Sequence, residues 1–319
     1  MKVAITAGGT GGHIFPALAI INKIKSHDKN SEFLYFGTTD RMEKDIIPER
    51  GIPYIAIPMK GLNRKQVWKN VTVLKIYLQA IKKAETELKK FKPDIVIGVG
   101  GYITAPVLVA AHRLGIKTLI HEQNSIPGVS NKLLSKFVNK ICISFKESET
   151  SFPKQKTVYT GNPRSEEILL MEKGNREDFG FNHKSKFIIL VMGSLGSLTM
   201  TLKMKELIPA FANKNYQVLV VTGKGYYGDY KDVKTPANVK IVPFYDAKYM
   251  KDADLLITRS GASTIAEVTA LLLPSIMIPS PYVTHNHQFK NAKALEDKKA
   301  CKILEEKDFD KTTLLPLID

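Results

Sequence analysis

The sequence predicts an α/β protein built from two doubly wound, Rossmann-like domains facing a central cleft. Three observations carry that expectation. Short β-branched runs alternate with amphipathic stretches almost from end to end, the pattern restarts once after a polar segment at 171–185, and several strand candidates run directly into glycine-rich turns. A chain of 319 residues has room for two domains at roughly 100–200 residues each, with the division placed at 1–163 and 164–319.

In the first half the strand candidates are 2–7, 33–36, 54–57, 95–98, 118–121 and 140–144, separated by helical stretches such as 14–25 and 67–91. In the second half they are 187–192, 217–221, 239–242, 255–258 and 275–278, with a helix at 289–296. Alternation at this spacing implies βαβ units and parallel sheets, in which ligands gather beyond the carboxyl ends of the strands.

Composition narrows the function classes. Hydrophobic residues at 44% and charged residues at 24% exclude a disordered or collagen-like chain. Cys142 and Cys301 lie in apolar surroundings without CxxC or zinc spacing, so both are expected to be reduced and buried. Met1 leads straight into a strand with no signal peptide, and no apolar run of 18 residues occurs, which points to the cytosol. The net charge of +16 is lopsided: residues 1–160 hold 25 Lys/Arg against 12 Asp/Glu, and 161–319 hold 22 against 19. The first half is therefore expected to meet something anionic.

The turns carry the chemistry. The first reads Gly8-Gly9-Thr10-Gly11-Gly12-His13, whose glycines let a ligand approach the backbone, with Pro16 suited to the first turn of the next helix. It lacks the final glycine of a dinucleotide fingerprint, and 36–39 offers no acid for a ribose, so a nicotinamide cofactor is disfavoured. Gly98-Val99-Gly100-Gly101-Tyr102 and His121-Glu122-Gln123-Asn124 end two further strands. In the second half, 191–197 and 257–267 each pass from strand to helix, a geometry that offers backbone N–H groups to phosphate. Glu267, one turn inside its helix, can accept from two ribose hydroxyls, although by position alone it reads better as a favourable charge near the helix N-terminus. Thr284-His285-Asn286-His287-Gln288 adds amide and imidazole donors but no third zinc ligand. Asp252-Ala253-Asp254 has the form of a cation-holding D-x-D motif, yet it precedes a strand and so falls at the wrong sheet edge.

Five of these motifs occur in one order: 8–17, 98–102, 121–124, Thr160-Gly161-Asn162-Pro163-Arg164 and Arg259-Ser260-Gly261-Ala262. In that order the chain resembles the MurG family of bacterial glycosyltransferases, which have the GT-B fold, over nearly its whole length. The resemblance implies inverting transfer of N-acetylglucosamine from UDP-GlcNAc to the 4-hydroxyl of the N-acetylmuramoyl-pentapeptide carried on undecaprenyl diphosphate, the step from lipid I to lipid II. It implies Thr10, Gly11, Gly12 and Asn124 as first-domain donor contacts. Arg164, Ser194, Tyr245, the run Ala262, Ser263, Thr264, Ile265, Ala266 and Glu267, and Gln288 form the second-domain donor site, with backbone near Phe244 and Tyr245 holding the uracil. Gly100, Gly101, Tyr102 and His13 face the acceptor. No cofactor is required, although a divalent cation is admitted as an assistant. Met192 and Ser197 depart from the family's second glycine loop, the arginine follows Asn162-Pro163 without the residue that some members insert, and a further C-terminal helix is missing.

An inverting displacement needs a base opposite the leaving group. His13 has the right unperturbed range, and Glu122 is the runner-up. Between Lys60 and Lys92 ten Lys/Arg stand against two Glu. Val67, Val71, Leu74, Leu78 and Ile81 recur at helical spacing and are expected to face the core. Trp68, Ile76 and Tyr77, ringed by Arg64, Lys65, Lys69 and Lys75, are expected to dock on the anionic cytoplasmic face of the membrane. The alternatives are a related GT-B glycolipid synthase, a UDP-GlcNAc 2-epimerase, and a nucleic-acid-binding protein, for which no aromatic RNA-binding strand or zinc module is present.

Overall fold

The computed structural model describes residues 1–59, 70–192, 197–283 and 286–319, with only the backbone of residues 70 and 71. It divides into two compact units, Met1–Arg164 and Ser165–Asp319.

The first unit is a seven-stranded parallel sheet: β1 Lys2–Ala7, β2 Glu32–Thr38, β3 Tyr54–Ile57, β4 Ile95–Gly100, β5 Lys117–Glu122, β6 Lys140–Ile143 and β7 Thr157–Tyr159. Their spatial order is β3-β2-β1-β4-β5-β6-β7, so the chain reverses direction of travel between β1 and β4. The helices are α1 Gly11–His27, α2 Glu43–Glu49, α3 Asn70–Phe91, α4 Thr104–Arg113 and α5 Val129–Leu134; α6 Arg164–Leu170 starts on the last residue of this unit and otherwise belongs to the second. Side chains alternate across a strand, and here the alternation feeds two cores. Ala4, Leu34, Phe36 and Val96 pack with Ala84, Leu88 and Val107 of α3 and α4. Val3, Ile5, Phe33, Tyr35 and Ile97 pack with Ile14, Leu18 and Ile21 of α1. Each fully buried Ile, Leu or Phe contributes about 1.5–3 kcal/mol, which explains strands that read as unbroken apolar runs.

The second unit repeats the plan with six parallel strands: β8 Lys186–Val191, β9 Tyr216–Val221, β10 Val239–Val242, β11 Leu255–Thr258, β12 Ser275–Met277 and β13 Lys302–Ile303, ordered β10-β9-β8-β11-β12-β13. Its helices are α7 Leu198–Leu207, α8 Ala262–Leu271, α9 His287–Glu296 and α10 Lys311–Ile318. Strands β7 and β13 escaped the sequence reading because three and two residues leave no periodicity to see.

Three expectations need correction. Pro16 lies beyond the first turn of α1, which begins at Gly11; having no N–H, it cannot make the usual helical bond to the Gly12 carbonyl. On α3 the inward face is carried by Ala80, Ile81, Ala84 and Leu88, with Tyr77 packed beside them. Leu74 and Leu78, expected in the core, are 59% and 53% exposed. Arg164, assigned to the second domain, is the last residue of the first unit, where its guanidinium lies 5.6 Å from the ring of Phe15.

Candidate active site

At the reversal point of the first sheet, β1, β4 and β5 are neighbours, so their carboxyl ends bring together three of the sequence's polar turns. A register shift at the end of β1 sets Ala7 opposite Gly100 rather than Val99. Beyond it, the Gly8 N–H donates to the Gly100 carbonyl at 3.2 Å. The two glycine turns then touch so closely that a Cβ on Gly101 would lie 2.3 Å from the Gly8 carbonyl oxygen. Gly100 and Gly101 also have φ of 120° and 91°, which other residues avoid.

Thr10 is the extended N-cap of α1, and its side chain makes no capping bond. The carbonyl of Thr10 accepts from the N–H groups of His13 and Ile14. The first turn carries no acid, so the N–H groups of Gly11 and Gly12 and the positive end of the helix dipole suit an anion. His13 is half-buried, with its Nδ1 3.1 Å from the Gly8 carbonyl oxygen. A carbonyl only accepts, so Nδ1 carries a proton in this contact, which orients the ring. The ring lies against Gly100, where a Cβ would stand 2.6 Å from Cδ2. Tyr102 is 64% exposed beside it in sequence.

Glu122 does not qualify as a base. It is buried, and each oxygen already accepts two hydrogen bonds: Oε1 from the N–H and Nδ2 of Asn124, Oε2 from the N–H of Gly128 and Nδ2 of Asn131, all at 2.9–3.2 Å. Four donors on four lone pairs make it the brace of the β5–α5 turn and turn the Asn124 amide back toward it. His121 is likewise structural. Its Nε2 donates to the Gly161 carbonyl at 3.0 Å and its Nδ1 accepts from Gln123 Nε2 at 3.0 Å, while burial pushes its pKa below the ordinary value.

In the second unit, β11 ends in Arg259-Ser260-Gly261 and opens α8. Gly261 is the extended N-cap with no side-chain cap, and its carbonyl accepts from Ile265 N–H. The first-turn N–H groups of Ala262, Ser263 and Thr264 thus face outward from the helix start, as a phosphate requires. The buried hydroxyl of Ser263 makes no hydrogen bond among the described residues. Ile265 and Ala266 are buried behind this turn, and Glu267 is 8% exposed one turn further on. Ser260 Oγ donates to the Gln288 carbonyl at 2.9 Å, and the Gln288 amide oxygen accepts from Ser280 N–H at 2.8 Å. The Gln288 amide therefore offers its N–H₂ rather than its oxygen. Phe244, beyond β10, is 58% exposed, and Tyr245 follows it partly buried. Ser194 and His285 lie outside the described residues, as do Arg64, Lys65, Trp68 and Lys69 of the basic segment; Lys75 is exposed on α3.

Two framework residues went unnoticed in the sequence. Glu306 receives the Arg259 guanidinium at 2.6 Å and the Thr199 hydroxyl at 2.6 Å, fixing the β11–α8 turn from below. Glu43 is buried under the first glycine turn. Asp252 and Asp254 are committed elsewhere: Asp252 binds Lys173 and Arg176, and Asp254 binds Lys186 and Arg176. Though burial opposes it, bonding to Arg176 and Lys173 holds Asp252 down at about 2. Among the described residues, no three His, Cys, Asp or Glu side chains come together as metal ligands. No helix of these residues is long and apolar enough to cross a membrane.

Residues 3–143 match the glycosyltransferase family 28 N-terminal domain, and residues 187–319 match the C-terminal domain of the same family. Over its whole length the chain is 43% identical to a protein of Bacillus cytotoxicus, of which it covers 90%, and 41% identical to one of Bacillus subtilis, again covering 90%. Both are named UDP-N-acetylglucosamine–N-acetylmuramyl-(pentapeptide) pyrophosphoryl-undecaprenol N-acetylglucosamine transferase. Among solved structures, Acinetobacter baumannii MurG superposes with a TM-score of 0.76 at 28% identity, covering 100% of this chain and 91% of that one. A UDP co-structure of Staphylococcus aureus MnaA, at 15% identity and a TM-score of 0.70 over 99% of this chain and 86% of that one, shares the fold.

Proposed function

The chain belongs to glycosyltransferase family 28, and from that premise we propose that it moves N-acetylglucosamine from UDP-GlcNAc to the 4-hydroxyl of undecaprenyl-diphospho-N-acetylmuramoyl-pentapeptide, the step that completes the peptidoglycan precursor. Identity of 41–44% to transferases of that name along the whole chain carries the reading; the epimerase alternative rests on fold likeness alone.

In the mechanism we propose, the α8 N-terminus and the Ser263 hydroxyl hold the UDP diphosphate, Glu267 accepts from the ribose, and the backbone near Phe244 and Tyr245 holds the uracil. The α1 N-terminus, with Thr10, Gly11 and Gly12, takes up charge as UDP departs, and Arg164 adds a cation. His13 Nε2 removes the proton of the acceptor hydroxyl. The oxygen forms its bond to the anomeric carbon as the bond to the diphosphate breaks, the electron pair leaves with UDP, and the configuration inverts. Resident cofactors have no step in this scheme. Turnover of UDP-GlcNAc with a short-chain, water-soluble acceptor analogue, measured with and without EDTA, tests it; a product other than the β-linked disaccharide would overturn it.

The acceptor's lipid carrier also calls for a membrane surface. The support is the charge excess of the first half together with Leu74 and Leu78, exposed one helical turn apart beside Lys75. Docking is peripheral in this proposal, on the cytoplasmic face. Each Lys or Arg near an anionic surface contributes about 1 kcal/mol, so reversing three of Arg64, Lys65, Lys69 and Lys75 is expected to abolish most binding to anionic vesicles. Salt is expected to release the wild type, and Leu74→Ser with Leu78→Ser to remove the salt-resistant remainder. Equal vesicle binding by wild type and charge-reversed protein would show that the basic face is only solvated.

A further inference from the structure

We propose that Glu43 is a positioning residue for His13, acting on it through the peptide bond that joins Gly8 to Gly9. The proposal rests on the reading of His13 as the base and adds a second residue to it.

Glu43 opens α2 and is fully buried. In sequence, Arg41-Met42-Glu43-Lys44 looks like an ordinary exposed helix start. Among the described residues no cation pairs with it. Its oxygens accept instead from the Thr38 N–H at 3.1 Å, the Thr38 hydroxyl at 2.7 Å and the Gly9 N–H at 3.2 Å. A buried carboxylate without a counter-ion is costly, and three neutral donors offset only part of that cost. The other groups around it do not supply the missing charge. Tyr35 from β2 donates its hydroxyl to the Ala7 carbonyl, and Tyr54 from β3 donates to the Thr38 carbonyl. Both phenols are pushed above their ordinary range, first by burial and then by the charge of Glu43, while Asp40 and Asp45 add negative charge around Tyr54.

What the carboxylate acts on is one peptide unit. The N–H of Gly9 points to Glu43, and the carbonyl of Gly8, in the same amide plane, accepts from His13 Nδ1 at 3.1 Å. Amide resonance couples the two ends. Negative charge at the N–H draws electron density onto the oxygen and strengthens it as an acceptor. The Nδ1 proton is held in place, the lone pair stays on Nε2, and the ring becomes more basic, much as a carboxylate in direct contact would make it. The proton on Nδ1 does not move in this arrangement.

The surrounding glycines fit the task. A Cβ on Gly8 would lie 2.5 Å from Glu43 Oε1, so glycine there makes room for the carboxylate. Gly9, at φ of 95°, adopts the left-handed conformation in which its N–H meets Glu43.

The experiment is a titration of protein labelled with ¹⁵N-histidine, followed by NMR, with the His13 signals assigned by their loss in His13→Gln. Glu43→Gln is expected to lower the His13 midpoint by about half to one pH unit, since it removes a favourable negative charge. The acid limb of kcat/KM is expected to move to lower pH with it, and kcat to fall about tenfold while KM for UDP-GlcNAc stays within twofold. Thr38→Val breaks a bond to the same carboxylate but leaves its charge and the Gly9 contact, so the His13 midpoint is expected to stay put. If Glu43→Gln does not fold, Glu43→Asp, which withdraws the carboxylate by one methylene, is expected to shift the midpoint in the same direction. A folded Glu43 variant with an unmoved midpoint would overturn the relay. Full turnover by His13→Ala with a shifted midpoint in Glu43→Gln would instead overturn the base and leave the relay standing.

Discussion

The turn after β1 and the turn after β11 have the same plan, strand to glycine to helix N-terminus, yet they are finished in opposite ways. In the first, the glycines that lead into α1 are bonded from within: Gly8 N–H meets Gly100, Gly9 N–H meets Glu43, and the Gly8 carbonyl meets His13. The second is held from behind, by Arg259 on Glu306 and by Ser260 on the Gln288 carbonyl, and its buried Ser263 hydroxyl has no partner among the described residues. Hydrogen bonds completed inside the protein aim a reacting group; those left incomplete recruit a ligand. The two turns therefore suit different halves of a transfer reaction, one shaping chemistry and the other capturing the donor.

The largest expected effect would break this contrast most directly. His13→Ala is expected to lower kcat by about 10²–10⁴-fold while UDP affinity by calorimetry stays near wild type. A parallel loss of affinity would mean that the first turn also captures the donor. Next, Arg259→Leu strands Glu306 in the interior and is expected to cost about 3–5 kcal/mol of stability in urea denaturation of the second unit. A stable variant would deny the clamp. Glu267→Ala, by losing two charge-assisted bonds to a ribose, is expected to weaken UDP-GlcNAc binding by about 2–4 kcal/mol. Unchanged affinity in a folded protein would sink the ribose assignment. The smallest effect sharpens the comparison: Ser263→Ala is expected to raise Kd for UDP by about 1 kcal/mol and to leave the melting temperature unchanged or higher, since the hydroxyl satisfies nothing in the free protein. A destabilised variant would show that the serine serves the fold.

The sheet and its turns were legible because buried parallel strands leave unmistakable apolar runs: residues 54–57, 239–242 and 255–258 begin and end where the sequence puts them. The turn glycines were equally plain. Helix α3 was misread on one side, because Leu74 and Leu78 satisfy helical spacing as well as Ala80, Ala84 and Leu88 do, and only packing decides which face turns inward. Carboxylates were harder. Glu122 and Glu43 are both buried acids, but the first drew notice because it ends a strand and the second did not because its partners, Gly9 and Thr38, are backbone and hydroxyl groups with no charge to flag them. Burial and hydrogen-bond saturation depend on groups far apart in sequence, and a single chain read from left to right does not display them.

The contact between Gly101 and Gly8 has a consequence for anyone who varies this protein. The two residues stand 93 positions apart, yet neither can gain even a methyl group without meeting the other turn or its carboxylate. Most tight contacts can be relieved by shrinking one partner, but at Gly101 the partner is the Gly8 backbone, which has nothing to remove, whereas a Cβ on Gly8 would meet Glu43 and Ile103, side chains that can be cut back. In a combinatorial library the Gly101 codon is closed to compensation at Gly8, whereas Gly12, whose Cβ would meet nothing closer than Thr10 Oγ1 at 3.7 Å, remains open to substitution as far as space is concerned. Tolerated variation across such a library is therefore expected to collect at positions like Gly12 and the exposed Tyr102 rather than at Gly101.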